Sequence, residues 1–147
     1  MKKEKIELTT KILNHLTKHG KKIKSEKILL QSIKSLQQNL KKQSKKITQL
    51  AVVLSSPVFK FAVTTKKKHK KKKNKITPTF VTNGQIRNSL AIRLIIKETR
   101  TSRTLHFYQT LSQNIIKTCN LTGSIINEIN AAKKKILLNK RLFKYYK

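Results

Sequence analysis

The chain has 147 residues, of which 36 are Lys or Arg and only five are acidic, all of them Glu, for a formal net charge of +31. So much like charge opposes the compact state unless a polyanion neutralises it, and a nucleic-acid backbone is the usual one. An apolar share of 37% is below the ~45–50% of an average domain yet too high for a wholly disordered tail, so the expectation is one domain over residues 1–147 with a modest core and a basic surface, not a metabolic enzyme.

The first helical pattern runs from Lys2 to Lys18, with Leu8, Ile12 and Leu16 at steps of four and Leu13 beside them, which makes one face of a helix. Gly20 marks its end. Ser25 reads as the cap of a second helix, with Glu26 in the first turn where the dipole favours an acid. Leu29, Ile33, Leu36 and Leu40 give that helix its apolar stripe. A shorter third helix carries Ile47, Leu50, Ala51 and Leu54, and Ser55-Ser56-Pro57 stops it.

From Val58 the period changes to two. Phe59, Phe61 and Val63 alternate with Lys60 and Ala62, and Ile76 and Phe80 flank Pro78 beyond a lysine run. This predicts a two-stranded hairpin over about 58–81, with residues 66–75 as a long tip that has no apolar residue to join a core. Pro78 fits a strand with a free edge. Asn83 then reads as a helix cap, because Ile86, Leu90, Leu94 and Ile95 follow at helical spacing while Arg93, Lys97 and Arg100 share another face. A fifth helix is expected from near Ser102, with Leu105, Tyr108, Leu111, Ile115 and Cys119 inward. After Gly123 a sixth carries Ile125, Ile129, Ala132 and Ile136 and trails into the basic segment Lys140 to Lys147. The predicted fold is mainly α: a six-helix bundle with a protruding two-stranded β-hairpin arm between helices 3 and 4.

Catalysis has little material here. Glu4, Glu7, Glu26, Glu98 and Glu128 are scattered over different helices, so spacing suggests no acid pair. His15 and His19 stand four apart on the first helix and, without a third ligand, read as ordinary surface histidines. Cys119 is the sole cysteine, which excludes an intramolecular disulfide; on an apolar stripe it reads as a small core residue. No Gly-rich phosphate loop or nucleophile elbow occurs, and no cofactor or metal is expected. With few aromatics and no Trp, phosphate contact and shape recognition are expected ahead of base stacking.

Two stretches are more specific. Gly20-Lys21-Lys22-Ile23-Lys24-Ser25-Glu26-Lys27-Ile28 is a basic turn entering a helix, and Arg87-Asn88-Ser89-Leu90-Ala91-Ile92-Arg93 opens the helix after the hairpin. Both resemble small-subunit ribosomal protein seven of the bacterial and organellar type, which carries a Gly-Lys-Lys turn followed by Glu and an aliphatic residue, and an Arg-Asn-x-Leu-Ala-x-Arg signature. The order of elements resembles that family over nearly the whole chain, and Asn139-Lys140 and Tyr145 fall at matching distances from Gly123. The resemblance implies a structural protein that binds the 3′ major domain of small-subunit rRNA, nucleates assembly of the head, and meets neighbouring small-subunit proteins. It implies rRNA contacts from Lys21, Lys22 and Lys24 in the first turn and from Arg87, Asn88 and Arg93 at the base of the arm. Lys97 and Arg100, on the face of Arg93, and Lys2 and Lys3, standing where the family has a longer basic extension, complete the candidate set. It further implies that the arm, with Lys66, Lys67, Lys68, Lys70, Lys71, Lys72, Lys73 and Lys75, lies near the exit-site tRNA and the mRNA path.

The rival reading is a free-standing histone-like DNA-binding protein, which explains the charge but not the two signatures. A basic membrane-surface protein is a weaker third, because the apolar stripes suit a bundle. No homo-oligomer is expected. Met1 is followed by no hydrophobic signal core and no apolar run approaches a membrane span. With the heavy use of Lys, Ile, Asn and Thr, this predicts a ribosomal protein made where it works: organelle-encoded and mitochondrial, with a plastid or a low-GC bacterial cytoplasm as alternatives.

Overall fold

The computed structural model describes residues 2–40, 44–68, 71–102 and 106–138. Along them run α1 (Lys2–Leu16), α2 (Lys22–Leu40), α3 (Ser44–Leu54), β1 (Phe59–Lys68), β2 (Lys71–Phe80), α4 (Gly84–Thr101), α5 (Phe107–Cys119) and α6 (Ser124–Leu138). Six helices with one hairpin after the third is the predicted architecture. Ile12, Leu16, Leu36, Ala51, Val52, Ile92, Leu111 and Ile125 are among the buried residues of one core to which all six helices contribute.

α1 ends at Leu16, two residues short of the expected Lys18, and the chain restarts sooner than a serine cap would allow. His19 and Gly20 both adopt left-handed backbone conformations, φ 52° and 71°, which reverses the chain in so few residues that α2 begins at Lys22. Ser25 therefore lies inside α2, buried, its hydroxyl donating to the Lys21 carbonyl at 3.2 Å. Glu26 falls beyond the first turn. A serine hydroxyl can cap a helix or bond back to the preceding turn, and here it does the second. The same ambiguity moves the start of the fifth helix. Ser102 closes α4, with both its N–H and its Oγ directed to the Glu98 carbonyl, and α5 opens five residues later, at Phe107. Leu105, expected inward, lies outside the described residues.

The apolar stripes hold in α1, in α2 from Leu29 to Leu36 and in α6, and are rotated in α3 and α4. In α3, Ala51 and Val52 are buried while Leu50 is 50% exposed. In α4 the buried stripe is Ala91, Ile92, Ile95, Ile96 and Thr99. Helix α4 is packed by α1, α3 and α5 on that side and by α6 on another. Leu90 and Leu94 are half-buried toward the arm root and α6, and Ile86 is exposed. Asn83 caps α4 as predicted, its side-chain oxygen accepting from the Gln85 N–H at 2.8 Å. Cys119 is half-buried and packs against the core: its thiol donates to the Ile47 carbonyl at 3.4 Å, and burial pushes its pKa up. Polar pairs stitch the helices: the Ser35 and Ser112 hydroxyls meet at 3.2 Å between α2 and α5, and the Asn114 amide donates to Thr99 at 3.3 Å between α5 and α4.

The hairpin differs from expectation at its tip. The antiparallel ladder starts at Phe59↔Phe80 and continues through Lys66↔Lys73 and Lys67↔Lys72 to Lys68↔Lys71. A ladder is a backbone bonding pattern, and the loss of apolar side chains does not end it. The strands therefore reach into the segment expected as a tip, to Lys68 and Lys71; Lys70 lies outside the described residues, as does the basic segment beyond Leu138. At the root, the Val81 N–H donates to the Val58 carbonyl at 2.9 Å. Alternation then makes Phe61↔Pro78 a non-hydrogen-bonded pair, where the missing N–H of proline costs the ladder nothing.

These burial differences have a measurable consequence. Leu111, 2% exposed between α4 and α2, should lose about 2–5 kcal/mol on Leu111→Ala. Leu50→Ala should stay within about 0.5 kcal/mol. Urea denaturation of the two variants checks this, and equal losses would restore Leu50 to the core.

Candidate nucleic-acid interface

Arg93, Lys97 and Arg100 follow one another at steps of four and three on α4, and all three are solvent-exposed. This is the stripe predicted from spacing, set opposite the buried Ala91 and Ile95 side by the helical period. His15 of α1 joins it, so that His15, Arg93, Lys97 and Arg100 line a single shallow hollow. Lys97 is the partly satisfied member. Its ammonium meets the Glu128 carboxylate at 3.2 Å with both side chains more than half exposed, a pair of little worth in water that a phosphate can readily exchange for. Beside it Glu98 accepts a short hydrogen bond from Ser124. Two of the five acids are thus engaged where α4 meets α6, and Arg93 and Arg100 project from the same stretch.

The lysine turn stands at the same end of the body. Leu8 and Lys11 border residues 83–88, whereas His15 borders residues 93–101, so α1 and α4 run in the same direction. The chain leaving α1 continues toward the end of α4 that carries Arg100. Lys21, Lys22 and Lys24 are exposed there. Lys2 and Lys3 begin α1, at its opposite end.

The Arg87–Arg93 signature does not form one cluster. Six residues place Arg87 about 120° around the helix from Arg93. Arg87 is half-buried, and its Nε donates to the Val81 carbonyl at 2.7 Å. It ties the last residue of the arm to α4. Asn88, half-buried, borders a polar hollow with Lys11, Gln49 and Asn83. The arm lysines sit in register opposite one another, as given above, at the far end of the ribbon from this brace.

Sequence reasoning missed His15. It puts His15 and His19 on one helix, but α1 stops at Leu16 and His19 lies in the turn. Burial, and secondarily the nearby Arg93 charge, lower the His15 pKa. The folded protein therefore keeps His15 neutral at a pH where the unfolded chain, titrating near pH ~6.5, binds a proton. Stability from this group is present above about pH 6.5 and is lost as pH falls through the interval down to the lowered value. His15→Gln should accordingly show a shallower fall in melting temperature than wild type between about pH 7.5 and pH 5.5; identical slopes would show that His15 does not contribute.

The brace makes a second expectation. Arg87→Gln removes the Nε bond and should speed amide exchange at Val81 several-fold while leaving the Leu111 amide unchanged. Unaltered exchange at Val81 would mean that the ladder alone secures the arm.

Among the described residues no three His, Cys, Asp or Glu side chains come together, and no helix is long and apolar enough to cross a membrane. A helical body with a solvent-facing cationic stripe and a basic two-stranded arm has the charge and shape of a polyanion-binding protein. The family described as Ribosomal protein S7p/S5e matches residues 1–140, and the chain belongs to that family of structural small-subunit ribosomal proteins. No curated protein matches it.

Proposed function

We propose that this protein binds the 3′ major domain of small-subunit rRNA and nucleates assembly of the head. The observation that carries the reading is the placement of Arg93, Lys97 and Arg100 on one exposed stripe, at the end of the body where Lys21, Lys22 and Lys24 also stand. Lys2 and Lys3, at the start of α1, complete the proposed contacts. Arg87 and Asn88 add contacts at the base of the arm; Arg87 also braces the arm through Val81, so its removal acts through geometry as well as charge. The whole chain acts as one domain, as a single copy among neighbouring small-subunit proteins, with the arm directed at the exit-site tRNA and the mRNA path.

The mechanism is electrostatic. Cations displace the counterions condensed on phosphates, and the rigid body selects an rRNA shape whose deep groove offers little sequence to side chains. Lysines opposite lysines at 66/73, 67/72 and 68/71 repel across the ribbon, and an anionic strand alongside offsets that repulsion. The Lys- and Ile-rich composition supports an organelle-encoded, mitochondrial ribosome as the site of action.

Binding to a 3′ major-domain RNA fragment should weaken about a thousandfold or more between 50 and 200 mM salt, for roughly six to ten phosphate contacts. Arg93→Gln and Arg100→Gln should each lower the salt slope by about one. A flat salt response would contradict the mechanism. Equal affinity for duplex DNA, with no preference for the fragment, would hand the protein to the histone-like reading.

A further inference from the structure

The phenylalanines are few but not scattered. Three of the five, Phe59, Phe61 and Phe80, stand on one side of the arm root, where the register places Phe59 opposite Phe80 and Phe61 two residues further out. The Phe59 and Phe80 rings pack at 4.8 Å between centroids, tilted by 52°. Phe61 is 40% exposed, a large share for an aromatic ring at the base of a ribbon. It forms one wall of a groove of about 330 Å³ whose other walls are Leu90 and Leu94 of α4 and Ile129 and Ile136 of α6. The walls are held in place. Val81 is tied to Val58 and to Arg87, and Thr79 Oγ1 donates to the Lys60 carbonyl at 3.0 Å, so the strands that carry the rings are fixed against α4.

Around this apolar groove the rim is cationic. Lys60, Arg93 and Lys133 border it with exposed side chains. Among the described residues the one carboxylate at its edge, Glu128, is paired with Lys97. Arg93 and Lys97 border both this groove and the hollow that holds His15 and Arg100. The groove is therefore continuous with the cationic stripe, and a strand that follows the stripe reaches it without leaving the surface. A flat aromatic wall, an apolar interior and cations spaced around the mouth are what an unstacked nucleobase with its two flanking phosphates requires. A site of this volume takes a ligand of small-molecule size, and a nucleoside fits that class.

We infer that the groove between the arm root, α4 and α6 receives an unpaired rRNA base stacked on Phe61, with Arg93, Lys60 and Lys133 holding the adjoining phosphates. The inference rests on the rRNA-binding reading and adds to it a point of base recognition, in a chain whose sparse aromatics argue for phosphate contact alone.

The test is the affinity of the full chain for the 3′ major-domain RNA fragment, measured for wild type, Phe61→Ala and Phe61→Trp at several salt concentrations, with ultraviolet crosslinking of wild type to the same RNA. Phe61 lies outside the core, so circular dichroism should be unchanged in both variants. Stacking of one base predicts about a tenfold loss for Phe61→Ala with an unaltered salt slope, and wild-type affinity or better for Phe61→Trp. The crosslinked peptide should contain Phe61 joined to an unpaired nucleotide. Phe61→Ala binding within about twofold of wild type would overturn the groove and leave the phosphate interface standing. Failure of wild type to bind the fragment would overturn both. Loss of binding to an acidic amphipathic peptide in Phe61→Ala, with RNA affinity retained, would make the groove a protein-docking site and overturn the inference.

Discussion

Packing around α4 governs where everything else can stand. Its Ala91, Ile92, Ile95 and Ile96 face are enclosed by α1, α3 and α5, and α6 lies against another flank. What is left to solvent is a narrow strip, and that strip holds Arg93, Lys97 and Arg100. The same helix receives the arm at its first turns, through the Asn83 cap and the Arg87 bond to Val81. One helix thus fixes the core, the cationic stripe and the departure of the ribbon. A cation moved off the strip would have to be buried, which costs several kcal/mol unless it is paired, and this chain has almost nothing to pair it with.

The scarcity of acids shapes the rest. Glu98 and Glu128 both serve the α4–α6 contact, and the remaining charge is arranged by spreading it. Lysines occupy the turn before α2, the exposed sides of α6 and the distal half of the arm. Self-repulsion on this scale works against the compact state, and its relief on binding a polyanion adds to the affinity. For a protein of the S7 family, stability of the body and occupancy of the RNA site are in this sense one quantity.

Much of the fold was legible in the sequence because helical period and turn chemistry are local. Leu8, Ile12 and Leu16, the Asn83 cap, and Ile125, Ile129 and Ile136 all stand as their spacing says. Ser25 and Ser102 misled because a hydroxyl near a helix end can serve either side of the boundary. The stripe on α4 was displaced because a helix with neighbours on several sides buries whichever face has the most of them, and no single-helix pattern contains that information. Arg87 and Arg93 share a motif but face different surroundings; motif spacing does not reveal which cation is committed to a backbone carbonyl. The groove at Phe61 was hidden for a related reason. Its walls come from residues separated by some seventy-five positions, and only the folded chain brings Ile136 to Phe61.

The Arg87 brace also sets a question of leverage. Each strand of the arm has ten residues, and at about 3.3 Å per residue the ribbon extends roughly 33 Å from its root. Over that length a rotation of about 10° at the root displaces the far end by nearly 6 Å, more than the ~4.8 Å spacing of neighbouring strands. The aim of the distal lysines is therefore set less by the lysines themselves than by the stiffness of a few bonds around Val81. Small drift at the root is enough to point the whole arm at a different neighbour.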